Sequence, residues 1–238
     1  MILMIEWNFV CSGLIEIALP FALAYYLYKK YGAPWILFIF GAIMFFLSLI
    51  RLPLNLYVQE NLNRYFYGTV LLILSILIPS LTAGVFEEGF RYFGYRYLFR
   101  PDALNWQNGL LYGTGHGGAE CILIGANSLI LGLFLLLFPG ILPLDVTIQI
   151  QNMALYMPFV ALLERIFALC IQIGLSIVVL QSFLQNTKKY VVYAVIIHTA
   201  VDFFAVLANQ KSFILAEAVT GIFAVFGLYL IWKFKKSF

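Results

Sequence analysis

Charge is scarce in this sequence: 11% of its residues are Asp, Glu, Lys or Arg, and histidine occurs only twice. A soluble domain carries about 25% charged residues, so an ordinary aqueous surface is excluded. Cysteine is nearly absent as well. Cys11, Cys121 and Cys170 stand at scattered spacings within apolar runs, which excludes a disulfide framework or a zinc motif and leaves them as small apolar packing residues. There is no linker, low-complexity tract or convincing internal repeat, and nothing in the modest positive charge suggests nucleic acid. The N-terminal MILMIEWNFV has neither the basic stretch nor the cleavage site of a signal peptide, and it is expected to be retained.

What is present is apolar side chain, 63% of the residues. Lipid is therefore the solvent to reason with. A helix crosses about 30 Å of hydrocarbon with about 20 residues, and windows at 5–28, 34–50, 66–92, 106–138, 154–185, 190–209 and 212–232 qualify. The expectation is an all-α, polytopic transmembrane bundle of about seven helices in a single integral domain, 1–238. The 34–50 window is short, whereas the fourth and fifth are long enough to hold an extra half-helix, an eighth. Pro20 and Pro79 fall inside windows, where neighbouring helices can satisfy the freed backbone groups.

Placing the N-terminus outside puts Lys29, Lys30, Arg91, Arg96, Arg100, Lys188, Lys189, Lys233, Lys235 and Lys236 on the inner side. Only Arg51, Arg64 and Lys211 are left on outer connections. This asymmetry satisfies the positive-inside rule and predicts a multi-pass protein of the cell membrane with a cytoplasmic C-terminus.

Ionisable groups inside a bilayer cost kcal/mol each, so each needs a partner or a task. Glu16 lies in the first window, Glu87 and Glu88 end the third, and His116 and Glu120 lie in the fourth. Glu164 and Arg165 are in the fifth, and His198 and Asp202 in the sixth. In WQNGLLYGTGHGGAECILIG, Gly109, Gly113 and Gly117 share one helical face, which allows close helix contact. His116 and Glu120 are four apart, as are His198 and Asp202, so each imidazole shares a stripe with a carboxylate. Taken singly, such a pair is as readily an interhelical hydrogen bond. Depth argues for more: His116 lies roughly 16 Å from Asn105 and His198 roughly 14 Å from Lys189 along their helices, and the glutamates fall at that level or nearer the cytoplasm. Three separate segments thus bring carboxylates and imidazoles to one layer, where they can hold and deprotonate a water, directly or through a metal. Arg91, four after Glu87 and three after Glu88, can pair with either. Adjacent helical residues do not face one another, so Glu164 and Arg165 are expected to partner other helices, with Glu16 a candidate mate for Arg165.

FEEGFRY, GTGHGGAE, LLERIF and IIHTAVDF together resemble the YhfC family of intramembrane metalloproteases. They also resemble, more widely, the CPBP superfamily of CAAX prenyl proteases and bacteriocin-immunity proteins, whose pattern is EExxxR, FxxxH and HxxxN or HxxxD. Two departures from that wider pattern stand out: Arg91 comes one residue early, and Tyr112 replaces Phe. The resemblance implies an intramembrane endopeptidase with a catalytic core at about 66–209. It implies that Glu87 and Glu88 supply the catalytic carboxylate, that His116 and His198 bind or polarise water or metal, and that Asp202 takes the Asn or Asp position, with Arg91 and Glu120 in support. The implied substrate is a membrane-embedded or membrane-associated peptide, cut from a cavity in the cytoplasmic half of the bilayer.

Two imidazoles and one or two carboxylates suffice for a catalytic zinc or other divalent cation, with His116, His198 and Glu88 as the implied ligands. The same groups can act without metal, and HExxH is absent. A proton- or cation-coupled transporter and a non-catalytic immunity or assembly protein are the alternative functions. Reporter fusions after Lys30, Lys189 and Phe238 are expected to read cytoplasmic, and an outside signal from any two overturns the orientation.

Overall fold

A computed structural model of the chain describes residues 2–138, 140 and 142–235. Among these the regular structure is helical, without strands: α1 (Ile2–Tyr31), α2 (Ile36–Ser48), α3 (Arg51–Tyr65), α4 (Gly68–Leu98), α5 (Trp106–Leu137), α6 (Leu144–Gln151), α7 (Met157–Leu184), α8 (Lys189–Asn209) and α9 (Phe213–Lys235). Seven segments are long and apolar enough to span a membrane, with α2 and α3 together forming the second. The protein is thus a multi-pass membrane helix bundle.

The extra half-helix lies in the second span rather than the fourth or fifth. Pro53 carries no N–H and its ring crowds the carbonyl of Leu49, so α2 ends at Ser48 and the chain turns through Leu49 and Ile50. α3 continues the span, but its Asn55, Gln59, Glu60, Asn61, Asn63 and Arg64 dilute the hydropathy. That dilution makes the 34–50 window look short. Pro20 and Pro79 interrupt neither α1 nor α4.

α7 is the central element, with 72% of its apolar window buried against 17–39% in the other spans. It packs against α1, α4, α5, α8 and α9, while α1 and α2 also pack against α5. The glycine face is the reason α5 and α7 meet closely: a Cβ on Gly113 would lie 2.7 Å from Cβ of Ser176, and one on Gly117 would lie 2.7 Å from Cβ of Gln172. Lipid cannot drive helices together by hydrophobicity, so such close packing carries the association. Large apolar side chains such as Ile222 and Val225 point outward, as expected for a lipid-facing surface. Cys121 is buried and Cys170 partly so, whereas Cys11 is exposed rather than packed in the core.

The basic helix ends gather at one end of the bundle. Gly32, at a φ of 71°, closes α1 just after Lys29 and Lys30, through its N–H to the Tyr28 carbonyl at 2.8 Å. Tyr31 of α1 then meets Trp106 at the start of α5, whose indole N–H donates to the Ile231 carbonyl near the end of α9 at 3.0 Å. Tyr190, beside Lys189, meets Phe234. Lys236, grouped with these by sequence, lies outside the described residues. Arg51 departs from the expected outer connection and turns into the bundle.

Gly113→Leu is expected to force α5 and α7 apart and cost about 1–3 kcal/mol, read as a lower thermal midpoint in detergent. Ile222→Ala, on the lipid face, is expected to change stability by less than about 0.5 kcal/mol. Equal midpoints for the two variants would refute the close-contact account.

Candidate active site

Glu87 and Glu88 sit two-thirds of the way along α4, and successive helical positions point about 100° apart (3.6 residues per turn). They consequently meet different partners. Glu88 is completely enclosed: both its oxygens lie 2.7 Å from Arg91 Nη1, one turn on. Its Oε1 also lies 2.8 Å from Nδ1 of His198 on α8. A carboxylate accepts only, so Nδ1 of His198 carries a proton, and in the neutral imidazole its Nε2 then presents a lone pair. That Nε2 is 3.8 Å from Oε2 of Glu87 and 3.7 Å from Oδ2 of Asp202.

Glu87 is held from three other helices. Its Oε1 accepts from Arg51 Nη2 of α3 at 3.0 Å. Its Oε2 accepts from Gln172 Nε2 of α7 at 3.1 Å and lies 3.4 Å from His116 Nε2 of α5. Behind it the His116 ring is fully buried and edge-on to Phe45, with Nδ1 free of any hydrogen bond. Gln172 joins the two carboxylate systems. Its carbonyl oxygen accepts a short hydrogen bond from Arg91 Nη2, and its amide donates to Glu87 and, at 3.4 Å, to Oε2 of Glu120.

A cavity of about 140 Å³, room for several water molecules, reaches this cluster. Its walls include Arg51, Glu87, Glu120, Gln172, His198 and Asp202. Glu88, Arg91 and His116 are not among them. Of the residues expected from sequence, then, all seven converge, but in two tiers: Glu87, Glu120, His198 and Asp202 face the cavity, and Glu88, Arg91 and His116 support them from the sealed side. Arg51 and Gln172 are additions. Arg51 was hidden by its place at the edge of a window. Gln172 carries no charge, but its amide in CIQIGLS, at the middle of a span, was a legible signal.

Arg165 pairs with Glu120 at 2.6 Å and also with its neighbour Glu164 at 2.5 Å. The expectation of a partner on another helix holds for Arg165, which reaches Glu120 of α5, while its long side chain also meets the adjacent Glu164. Glu16, the expected mate, is buried without a hydrogen bond to either oxygen.

The donors at the cluster are of the types a divalent cation takes: imidazole Nε2 of His116 and His198, with Oε2 of Glu87 between them. Ligands bonded at about 2.1 Å to a tetrahedral ion stand about 3.4 Å apart, close to the 3.4 and 3.8 Å separations here. Glu88 behind Nδ1 of His198 supplies the orienting hydrogen bond that metal-bound histidines commonly make. Even so, no three His, Cys, Asp or Glu side chains among the described residues form a ready-made metal cage.

Residues 15–224 match the family model described as YhfC intramembrane metalloprotease. The chain is 30% identical, over 95% of its length and 95% of the relative's, to the uncharacterized membrane protein YhfC of Bacillus subtilis (strain 168). No solved structure matches. The motif-bearing helices, the buried cluster they assemble and the length of the match lead to one assignment: the chain belongs to the YhfC intramembrane metalloprotease family.

Proposed function

We propose that the protein is an intramembrane endopeptidase of the cell membrane, in which Glu87 is the general base and the catalytic core spans about 66–209. The observation that carries this reading is the position of Glu87: it is the glutamate of the adjacent pair that borders the cavity, and it is aimed by donors from α3, α5 and α7. The gaps of 3.8 and 3.7 Å from His198 Nε2 to Glu87 and Asp202 exceed a direct hydrogen bond and suit a water shared among the three groups.

In this reading a water in the cavity gives its proton to the Glu87 carboxylate as its oxygen attacks the peptide carbonyl carbon. Arg51 and the Gln172 amide are the donors available to the oxygen that becomes negative. The proton held on Glu87 then passes to the leaving nitrogen, and the C–N bond breaks. His198 orients the water through Nε2, and Glu88 with Arg91 fixes its tautomer. A divalent ion of the kind the family name implies would be held by His116 and His198 beside Glu87, whose carboxylate stays free to take the proton, and would supply a more acidic water and a Lewis acid for the carbonyl. Glu88 does not take the ligand role implied by the sequence pattern, because Arg91 engages both its oxygens.

Purified protein incubated with a membrane-peptide library, with cleavage read by mass spectrometry, tests the reading. Glu87→Gln is expected to lower the rate by about 10²–10⁴-fold while leaving the thermal midpoint nearly unchanged. Glu88→Gln is expected to be the destabilised variant, by about 3–5 kcal/mol, because it leaves the Arg91 charge buried without its partner. Wild-type cleavage by Glu87→Gln ends the assignment of the base. If the implied ion is held, a strong chelator is expected to abolish turnover, and added zinc or another divalent ion to restore it. Full activity in metal-free protein would reassign the chemistry to the glutamate and histidine alone.

A further inference from the structure

The cavity at Glu87 runs toward one end of the bundle. Counted from the basic helix ends at about 1.5 Å per residue, His198 lies about 14 Å along α8, Asp202 about 20 Å and Ala205 about 24 Å. On α7, Gln172 lies about 18 Å along, Ala168 about 24 Å and Glu164 about 30 Å. All of these line the cavity, so it leads away from the basic end. A second cavity of about 280 Å³ shares Glu164, Ala205 and Thr220 with the first, and it continues past Ala161 and Asn209 to Met157, about 40 Å from the basic end of α7.

The opposite direction is closed. Tyr95, Tyr112, Ile177 and Leu180 are buried between the site and the basic end. The Tyr95 hydroxyl is bonded to Ser176 Oγ at 2.7 Å, and the Tyr112 hydroxyl donates to the Arg91 carbonyl at 3.1 Å. Side-chain exposure follows the same gradient, from 0% at Glu88 through 4% at Glu87 and 25% at Glu120 to 43% at Glu164. Aromatic and aliphatic packing thus fills the side toward the basic end.

We propose that the two joined cavities are an access vestibule, through which an extended polypeptide reaches Glu87 from the membrane face opposite the basic helix ends. By the distribution of Lys and Arg that face is extracytoplasmic. The vestibule is about 20 Å deep between the levels of Gln172 and Met157, which accommodates about six extended residues at roughly 3.3 Å each. The occupant is extended because a helical segment keeps the carbonyl to be attacked in its own hydrogen bonds. Ala161, Ala168, Ala205 and Ala216 leave the room, while Glu164, Asn209, Glu217 and Thr220 supply polar groups along the walls.

The proposal that a substrate uses this path rests on the protease reading, but the path itself can be tested without turnover. Ala161→Cys and Ala205→Cys are made separately in the full-length protein, and a membrane-impermeant maleimide is applied to right-side-out and inverted vesicles. Modified residues are identified by peptide mass spectrometry, with Tyr97→Cys, exposed near the basic end, as the marker of sidedness. Both vestibule cysteines are expected to be modified from the face where Tyr97→Cys is not. Modification from the Tyr97→Cys face, or from neither face, overturns the vestibule. In the cleavage assay Ala205→Trp is expected to lower kcat/KM at least tenfold with Glu87 untouched, and wild-type turnover by that variant would overturn the vestibule as the substrate's path. If the wild-type protein cleaves nothing, the protease reading alone falls and the labelling result stands.

Discussion

The sealed carboxylate of Glu88 is the constraint on which the rest of the site depends. An ion moved from water into a low-dielectric interior costs several kcal/mol even after relaxation, and the surrounding structure is arranged to offset that cost. Arg91 supplies the counter-charge through both carboxylate oxygens and His198 supplies a further donor. Arg91 then needs acceptors of its own and finds one in Gln172, whose amide is thereby turned toward Glu87 and Glu120. One buried charge therefore fixes the relative rotation of α4, α7 and α8. Rotating any of the three by one residue position would withdraw a partner from an ion that cannot reach water.

This explains why two adjacent glutamates are retained at the membrane interior and why they are not equivalent. His198 sits between them, with Nδ1 toward Glu88 and Nε2 toward Glu87. Glu88 holds a proton on Nδ1, and Glu87 shares the cavity with Nε2. The two carboxylates are thus linked through a third residue, His198. In the proposed reaction the base must reach water, and of the two glutamates only Glu87 is in the walls of the cavity.

Much of this was legible in the sequence, for identifiable reasons. Apolar windows of about 20 residues reveal membrane spans because a helix of that length satisfies its own backbone groups across the lipid, and four-residue spacing reveals shared faces because the helix has a fixed pitch. Equal depth of His116 and His198 followed from residue counts alone. What escaped were features that depend on side-chain reach or on mixed composition. α3 is half polar and failed the window, so Arg51 was assigned to a connection. Gln172 has no charge to mark it. Arg165 met Glu164 because rules for adjacent positions describe Cβ directions, not the extent of a long flexible side chain. The direction in which the cavity opens was illegible because it depends on which helix layers fill their space, a property of packing in three dimensions.

The difference between the two ends of the bundle accounts for how a cluster of ionisable groups can coexist with a stable membrane fold. A buried ion cluster needs rigid, complete packing, whereas a water nucleophile needs room and an aqueous connection, and no single environment provides both. Here the requirements are separated along the membrane normal. Toward the basic end, Tyr95, Tyr112 and the glycine-lined contact of α5 with α7 pack closely beside the Glu88–Arg91 pair. Toward the other end, alanines on α7, α8 and α9 leave space lined by carboxylates and amides. Glu87 lies at the boundary, ordered by the packed side and wetted by the open one. Its position one residue before Glu88 is what makes this possible, since a step of about 100° around α4 carries a carboxylate from one environment into the other.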